Sequence, residues 1–232
     1  MQINPWKIGL QSAKANLIPG IILQIAAVLL IVGFYNVPSV RSALETVGTW
    51  QTRFGTLFSC VSYLLFCGLV PSLISLCIPS LRPKSPLAAL LFALLFWGFM
   101  GLVIAQFYLG QIVLFGNGHS AATLFKKVLF DQFVFSPFLS VPFVSVVHMW
   151  KDRGYRWSTI RPLLSKGWYQ RLVLPTLIMN WSVWIPSLFV VYSMPPLLQP
   201  HIGGLISGFW SLMCIQLAAR NQVTAPASKD AP

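Results

Sequence analysis

Asp131 is one of only four acidic residues in a chain of 232, and it stands with Gln132 at the head of a Phe-rich run, FDQFVFSPF, at residues 130–138. A carboxylate is costly in apolar surroundings unless it is paired or put to use. Three roles are open to it. Lys127 precedes it by one helical turn, so an i, i+4 ion pair is available. A helix beginning near residue 130 could use Asp131 as its N-cap, where a carboxylate accepts from free backbone N–H groups. Alternatively, it could line a water-filled path as a cation-attracting or gating group.

The third role needs company. Gln24, Gln106, Gln111, Gln132, Asn180, Ser182 and Gln216 are polar residues within apolar stretches. Taken singly, each suits an interhelical hydrogen bond of about 1 kcal/mol. Together, Asp131, Gln132, Gln106 and Asn180, with Trp184 beside them, are the candidates for a polar lining.

Residues for other chemistry are scattered. His119, His148 and His201 are far apart, Glu45, Asp152 and Asp230 fall between or beyond the apolar stretches, and there is no H-E-x-x-H pair and no G-x-S-x-G elbow. Cys60, Cys67, Cys77 and Cys214 lack C-x-x-C spacing and read as small apolar fillers. No enzyme activity, metal or cofactor is expected.

The elements that must hold these residues follow from composition. Hydrophobic residues make up 56% of the chain and charged residues 9%, too few charges for a soluble surface. Six apolar segments are long enough to cross a bilayer, at about 17–35, 54–78, 87–115, 130–150, 172–193 and 200–219. The expected fold is therefore an all-α, multi-pass transmembrane helical bundle. The first segment follows Lys7 and Lys14 like a signal peptide, but no A-x-A-like site follows it and the run is too long, so a retained anchor is expected. The fifth contains Pro175 and Pro186, whose kinks neighbours must satisfy.

The net charge is +12. With both termini on one side, Lys and Arg divide 12 to 4 in favour of that side, which predicts that both termini face inside. Half of the 12 lie in KDRGYRWSTIRPLLSKGWYQR, residues 151–171. There Trp157, Ile160, Leu164 and Trp168 alternate with Arg156, Arg161, Lys166 and Arg171, the pattern of a short interfacial helix limited by Pro162. Between two spans, such a loop points to anionic membrane lipids as the partner rather than nucleic acid. Gly204 and Gly208, and Ser136 and Ser140, form small-xxx-small pairs that let helices pack closely. They also admit a homo-oligomer.

The order of motifs carries a resemblance. Phe107-Tyr108 is followed by Lys126-Lys127, Asp131-Gln132 and Pro137, then by Asn180, Trp184, Pro196 and Trp210. In this the chain resembles the Mpv-seventeen family, also called the twenty-two-kilodalton peroxisomal membrane protein family, over residues 54–219 and best over 126–210. It departs at Leu188, where a Gln is usual, at Val191-Tyr192 for Asn-Phe, and at Pro200 for Arg. The resemblance implies a helical bundle of an organellar membrane, mitochondrial inner or peroxisomal, with channel-like permeability and roles in metabolite balance and oxidative-stress protection. It divides the chain into an extension with one extra helix at 1–53 and the family-like bundle at 54–219; the tail at 220–232 is small, polar and Pro-containing, and is expected to be disordered on that composition. The expected function is a channel-like or solute-permeability protein; the alternative is a non-transporting scaffold of the membrane.

Overall fold

The computed structural model describes residues 4–224, apart from the side chains of Ser80 and of residues 213–224. Within them the chain is all helix, with no strand. Among the described residues five helices are long and apolar enough to cross a membrane: Leu17–Asn36, Thr56–Cys77, Pro86–Phe115, Ala121–Asp152 and Tyr169–Ser193. The protein is thus a multi-pass membrane protein. The sixth expected segment forms the helix Gln199–Thr224, so the tail expected at 220–232 lies outside the described residues beyond Thr224.

Two compact units divide the chain. The first comprises residues 1–24 and 117–193, the second 25–116 and 194–232. In the first unit lie α1 (Pro5–Ala15), the start of α2 (Leu17–Asn36), α7 (Ala121–Phe130), α8 (Val141–Asp152), α9 (Trp157–Ile160) and α10 (Leu174–Ser193). The second holds the rest of α2 with α3 (Pro38–Phe54), α4 (Thr56–Tyr63), α5 (Val70–Cys77), α6 (Pro86–Phe115) and α11 (Gln199–Thr224).

Local chemistry sets the helix ends. Asn4 caps α1 by accepting from the Trp6 amide at 3.0 Å, and Pro5 supplies the preset first turn. Gly55, at φ 58°, separates α3 from α4, and Gly116, at φ 79°, ends α6 with its amide on Ile112 O. Stretches expected as loops at 1–16 and 36–53 are helical in α1 and α3, each one-sided in its apolar residues. Their apolar content is too diluted for a spanning segment, which is why composition alone passed over them.

The fourth span begins nine residues earlier than expected. Ser120 caps it, accepting from the Thr123 amide at 3.3 Å, and the helix runs unbroken from Ala121. Asp131 is consequently a mid-helix residue, which corrects its expected role as an N-cap.

Three stretches widen into π-helix: Leu64–Leu69, Asp131–Ser140 and Tyr169–Val173. Each is tied to proline, at 71, at 137 and 142, and at 175. A proline has no N–H to give and its ring crowds the preceding turn, so a wider turn relieves the clash while leaving a carbonyl without its helical donor. In the i→i+5 register, which the Val141 amide keeps with Ser136 O, the carbonyls orphaned by Pro137 and Pro142 are those of Gln132 and Pro137. Both are filled from the fifth span: Trp181 Nε1 donates to Gln132 O at 2.8 Å, and Tyr169 Oη donates to Pro137 O at 2.9 Å. Buried backbone acceptors in a membrane need such substitutes. Around them Val141, Val173 and Leu177 pack with Trp168, Tyr169 and Trp181 as an apolar core.

In the second unit the corresponding orphan is Phe66 O, opposite Pro71. A Cβ placed on Gly208 would stand 2.6 Å from that oxygen, so only glycine lets α11 approach it. Gly204 lies against the Tyr63 ring in the same way, at 3.1 Å from a built Cβ.

Candidate functional site

The wide turn that Pro137 imposes on the fourth span places Asp131, Gln132 and Ser136 together, all three buried. Asp131 Oδ1 accepts from Gln132 Nε2 at 2.9 Å and from Ser136 Oγ at 3.4 Å, while Oδ2 accepts from Tyr192 Oη at 2.7 Å. Gln132 Nε2 also reaches Ser136 Oγ at 3.3 Å, and Gln132 Oε1 accepts from Asn180 Nδ2 at 3.2 Å. One carboxylate is therefore surrounded by neutral donors from two spans, and Gln132 is held at both ends of its side chain and at its carbonyl. Such a closed network fixes the relative register of the two spans.

The ion pair expected between Lys127 and Asp131 does not form; among the described residues Lys151 and Asp152 make one at 2.8 Å. Tyr192 stands between the two charges instead. Its hydroxyl serves Asp131, while its ring takes the Lys127 ammonium at 5.9 Å from the centroid. Lys127 is only 2% exposed although it lies within the first two turns of the span. The phenol offers both groups a partner without bringing them into contact.

Of the expected lining residues, Asp131, Gln132 and Asn180 converge, and Ser136 joins them through its hydroxyl rather than as a packing residue. Trp184 is half-buried on α10. Gln106 is exposed on α6, in the second unit, and takes no part. Gln24 is engaged elsewhere, donating to Val183 O at 3.0 Å and to Ser187 Oγ at 2.7 Å. Ser182 is exposed and bonds to Met179 O, Ser140 is half-buried, and the Gln216 side chain lies outside the described residues.

The basic loop departs from a continuous amphipathic helix. Trp157–Ile160 is a single α-turn and Arg161–Leu164 a 3-10 turn, because Pro162 and then Gly167, at φ 80°, interrupt the pattern. Ile160 is fully buried in protein rather than facing lipid. Arg156, Arg161 and Lys166 are exposed as expected. Arg171 is exposed too, but its guanidinium is engaged by the loop itself, donating to Lys166 O at 2.9 Å, Ser165 Oγ at 3.2 Å and Leu163 O at 3.4 Å.

A second buried polar chain escaped the sequence reading. In the second unit His201 Nε2 meets Gln51 Oε1 at 2.8 Å and His201 Nδ1 meets Ser62 Oγ at 2.9 Å, with Ser59 Oγ donating to Gln51 at 3.1 Å. An amide oxygen can only accept, so the ring proton sits on Nε2 and Ser62 donates to Nδ1. The Phe58 ring covers the imidazole at 4.6 Å. No spacing rule joins residues 51, 62 and 201. By contrast, the five-residue interval between Pro137 and Pro142 was a readable sign that the fourth span would need donors from a neighbour.

Among the described residues no three His, Cys, Asp or Glu side chains come together. Compared with protein-family models, with curated proteins and with solved structures, the chain matches none.

Proposed function

We propose that this multi-pass membrane protein is a channel-like or solute-permeability protein of an organellar membrane, with Asp131 as its gating group and Gln132 and Asn180 beside it. The observation that carries the reading is the buried Asp131, held with Lys127 on one phenol inside a single spanning helix. Ionisable groups within spans are expensive and mark solute or ion pathways more often than packing. The partners of Asp131 are suited to opening. A tyrosine hydroxyl, a glutamine amide and a serine hydroxyl are neutral donors that a hydrated cation can replace at the carboxylate, and π-helical turns recur at functional sites. The resemblance to the Mpv-seventeen family supports both the permeability and the compartment.

One observation favours the alternative, a non-transporting scaffold: every oxygen of Asp131 already has a donor, so the network is complete as a lock between spans. Asp131→Asn separates the two readings, because the amide keeps most of the hydrogen bonds while removing the charge. Purified wild type and Asp131→Asn would be placed in liposomes, and ionic conductance and small-solute flux measured. A channel-like protein conducts as wild type and changes conductance or selectivity in the variant. Absence of flux in both, with both proteins folded, makes the protein a scaffold; equal flux in both removes Asp131 from the gate.

A further inference from the structure

We infer that the loop at residues 153–168 is a preformed docking surface for the phosphate headgroups of anionic phospholipids, gripped by Arg156, Arg161 and Lys166 with Trp157 as its interfacial anchor.

The loop joins the helix that ends at Asp152 to the one that begins at Tyr169, both long and apolar enough to cross a membrane, and a short connection between two such helices belongs at the headgroup level. Its shape is set from within the protein. Ile160 has no exposed surface, which pins the middle of the loop to the first unit. Thr159 Oγ1 donates to Arg156 O at 2.6 Å, and the guanidinium of Arg171 ties Leu163, Ser165 and Lys166 into one turn. At the loop's start Tyr155 holds a left-handed φ of 63°, unusual for a residue with a Cβ, with its amide on Trp150 O and its ring edge-on to Trp150 at 5.1 Å. A loop this constrained does not have to be ordered when a ligand arrives, and preorganisation of that kind raises affinity.

What the constrained loop presents is unneutralised positive charge. Arg156, Arg161 and Lys166 are exposed, and among the described residues none of them has a carboxylate within ion-pair distance. Arg171, the fourth basic residue of the pattern, is spent on the loop's own carbonyls, so three residues make the grip and one makes the scaffold. Trp157, 57% exposed between Arg156 and Arg161 in sequence, is the side chain that fits the boundary between headgroups and acyl chains. Guanidinium groups match phosphate oxygens in bidentate geometry, which zwitterionic headgroups oppose with their own cation.

The test is lipid binding by the full-length purified protein, titrated with phosphatidylglycerol or phosphatidylcholine and read by native mass spectrometry. Wild type should bind phosphatidylglycerol more tightly. Replacing Arg156, Arg161 and Lys166 together by Gln should weaken phosphatidylglycerol binding about a hundredfold, from about 1 kcal/mol per basic residue near a charged surface, and leave phosphatidylcholine binding unchanged. Replacing Lys7, Lys14 and Lys84 by Gln removes the same charge elsewhere and should change neither. If the first triple variant does not fold, Arg161→Gln alone should weaken phosphatidylglycerol binding severalfold. Equal losses in both triple variants would show general surface attraction and overturn the site. Full competition by millimolar inorganic phosphate would overturn it too, since the site would then serve a free anion.

Discussion

Tyr192 donates a 2.7 Å hydrogen bond to Asp131 from 61 residues away in sequence, and the same ring receives the Lys127 ammonium on its face. Asp131 and Lys127 of the fourth span are thus connected through one phenol of the fifth. Removing only the hydroxyl isolates that connection. Tyr192→Phe keeps the ring under Lys127 but leaves one carboxylate oxygen without its donor, so it should lower stability by about 1–3 kcal/mol. Unfolding of the purified protein in detergent measures it, and an unchanged midpoint would mean that another donor takes the place of the phenol.

The Trp181 indole stands in for an amide that Pro137 cannot provide. Trp181→Phe should therefore cost about 1–3 kcal/mol through the unpaired Gln132 carbonyl. In a Pro137→Ala background the new amide can serve that carbonyl, and the cost of Trp181→Phe should fall. A double-mutant cycle reads the difference as a coupling of about 0.5–3 kcal/mol. Strictly additive effects would separate the indole from the proline.

Close packing in the second unit is tested at two glycines. Gly208→Ala brings a methyl to 2.6 Å from Phe66 O, a backbone atom that cannot step aside, and should destabilise by about 1–3 kcal/mol. Gly110→Ala on α6 meets nothing within 4 Å and should be neutral or stabilising by up to about 1 kcal/mol. Thermal unfolding of both variants ranks them, and the reverse order would contradict the packing described.

His201 should carry its single ring proton on Nε2, because Gln51 offers it only a carbonyl oxygen. Nitrogen-15 chemical shifts of the imidazole report the tautomer directly. A proton on Nδ1 would require the Gln51 amide to be turned round and Ser62 to accept instead.

Arg171→Lys preserves charge but cannot reach three acceptors from one planar fork. The loop at 153–168 should loosen, and limited proteolysis there should quicken while cleavage elsewhere is unaffected.

The sequence disclosed most of what composition and short-range pattern control. Spans appear as apolar runs because a bilayer accepts little else, and Asp131, Gln132 and Asn180 stood out as polar residues inside such runs. The helices α1 and α3 were missed because they are too polar to register as spans. The role given to Asp131 failed at its boundary: the polar start AATLFKK looked like a loop, yet Ser120 caps a helix there and carries Asp131 ten residues inside.

By itself, then, the sequence determined the solvent, the all-helical class and the identity of the buried acid, since these depend on hydropathy summed over about 20 neighbouring residues. Only the tertiary structure decided who answers that acid. Lys127 is only four residues away in sequence yet meets a tyrosine ring, and Tyr192 is remote yet meets the carboxylate, because partners inside a bundle are chosen by how two helices pack. The same holds for Trp181 and Tyr169: proline spacing says that two carbonyls will lack amides, but only packing says which side chains arrive to replace them.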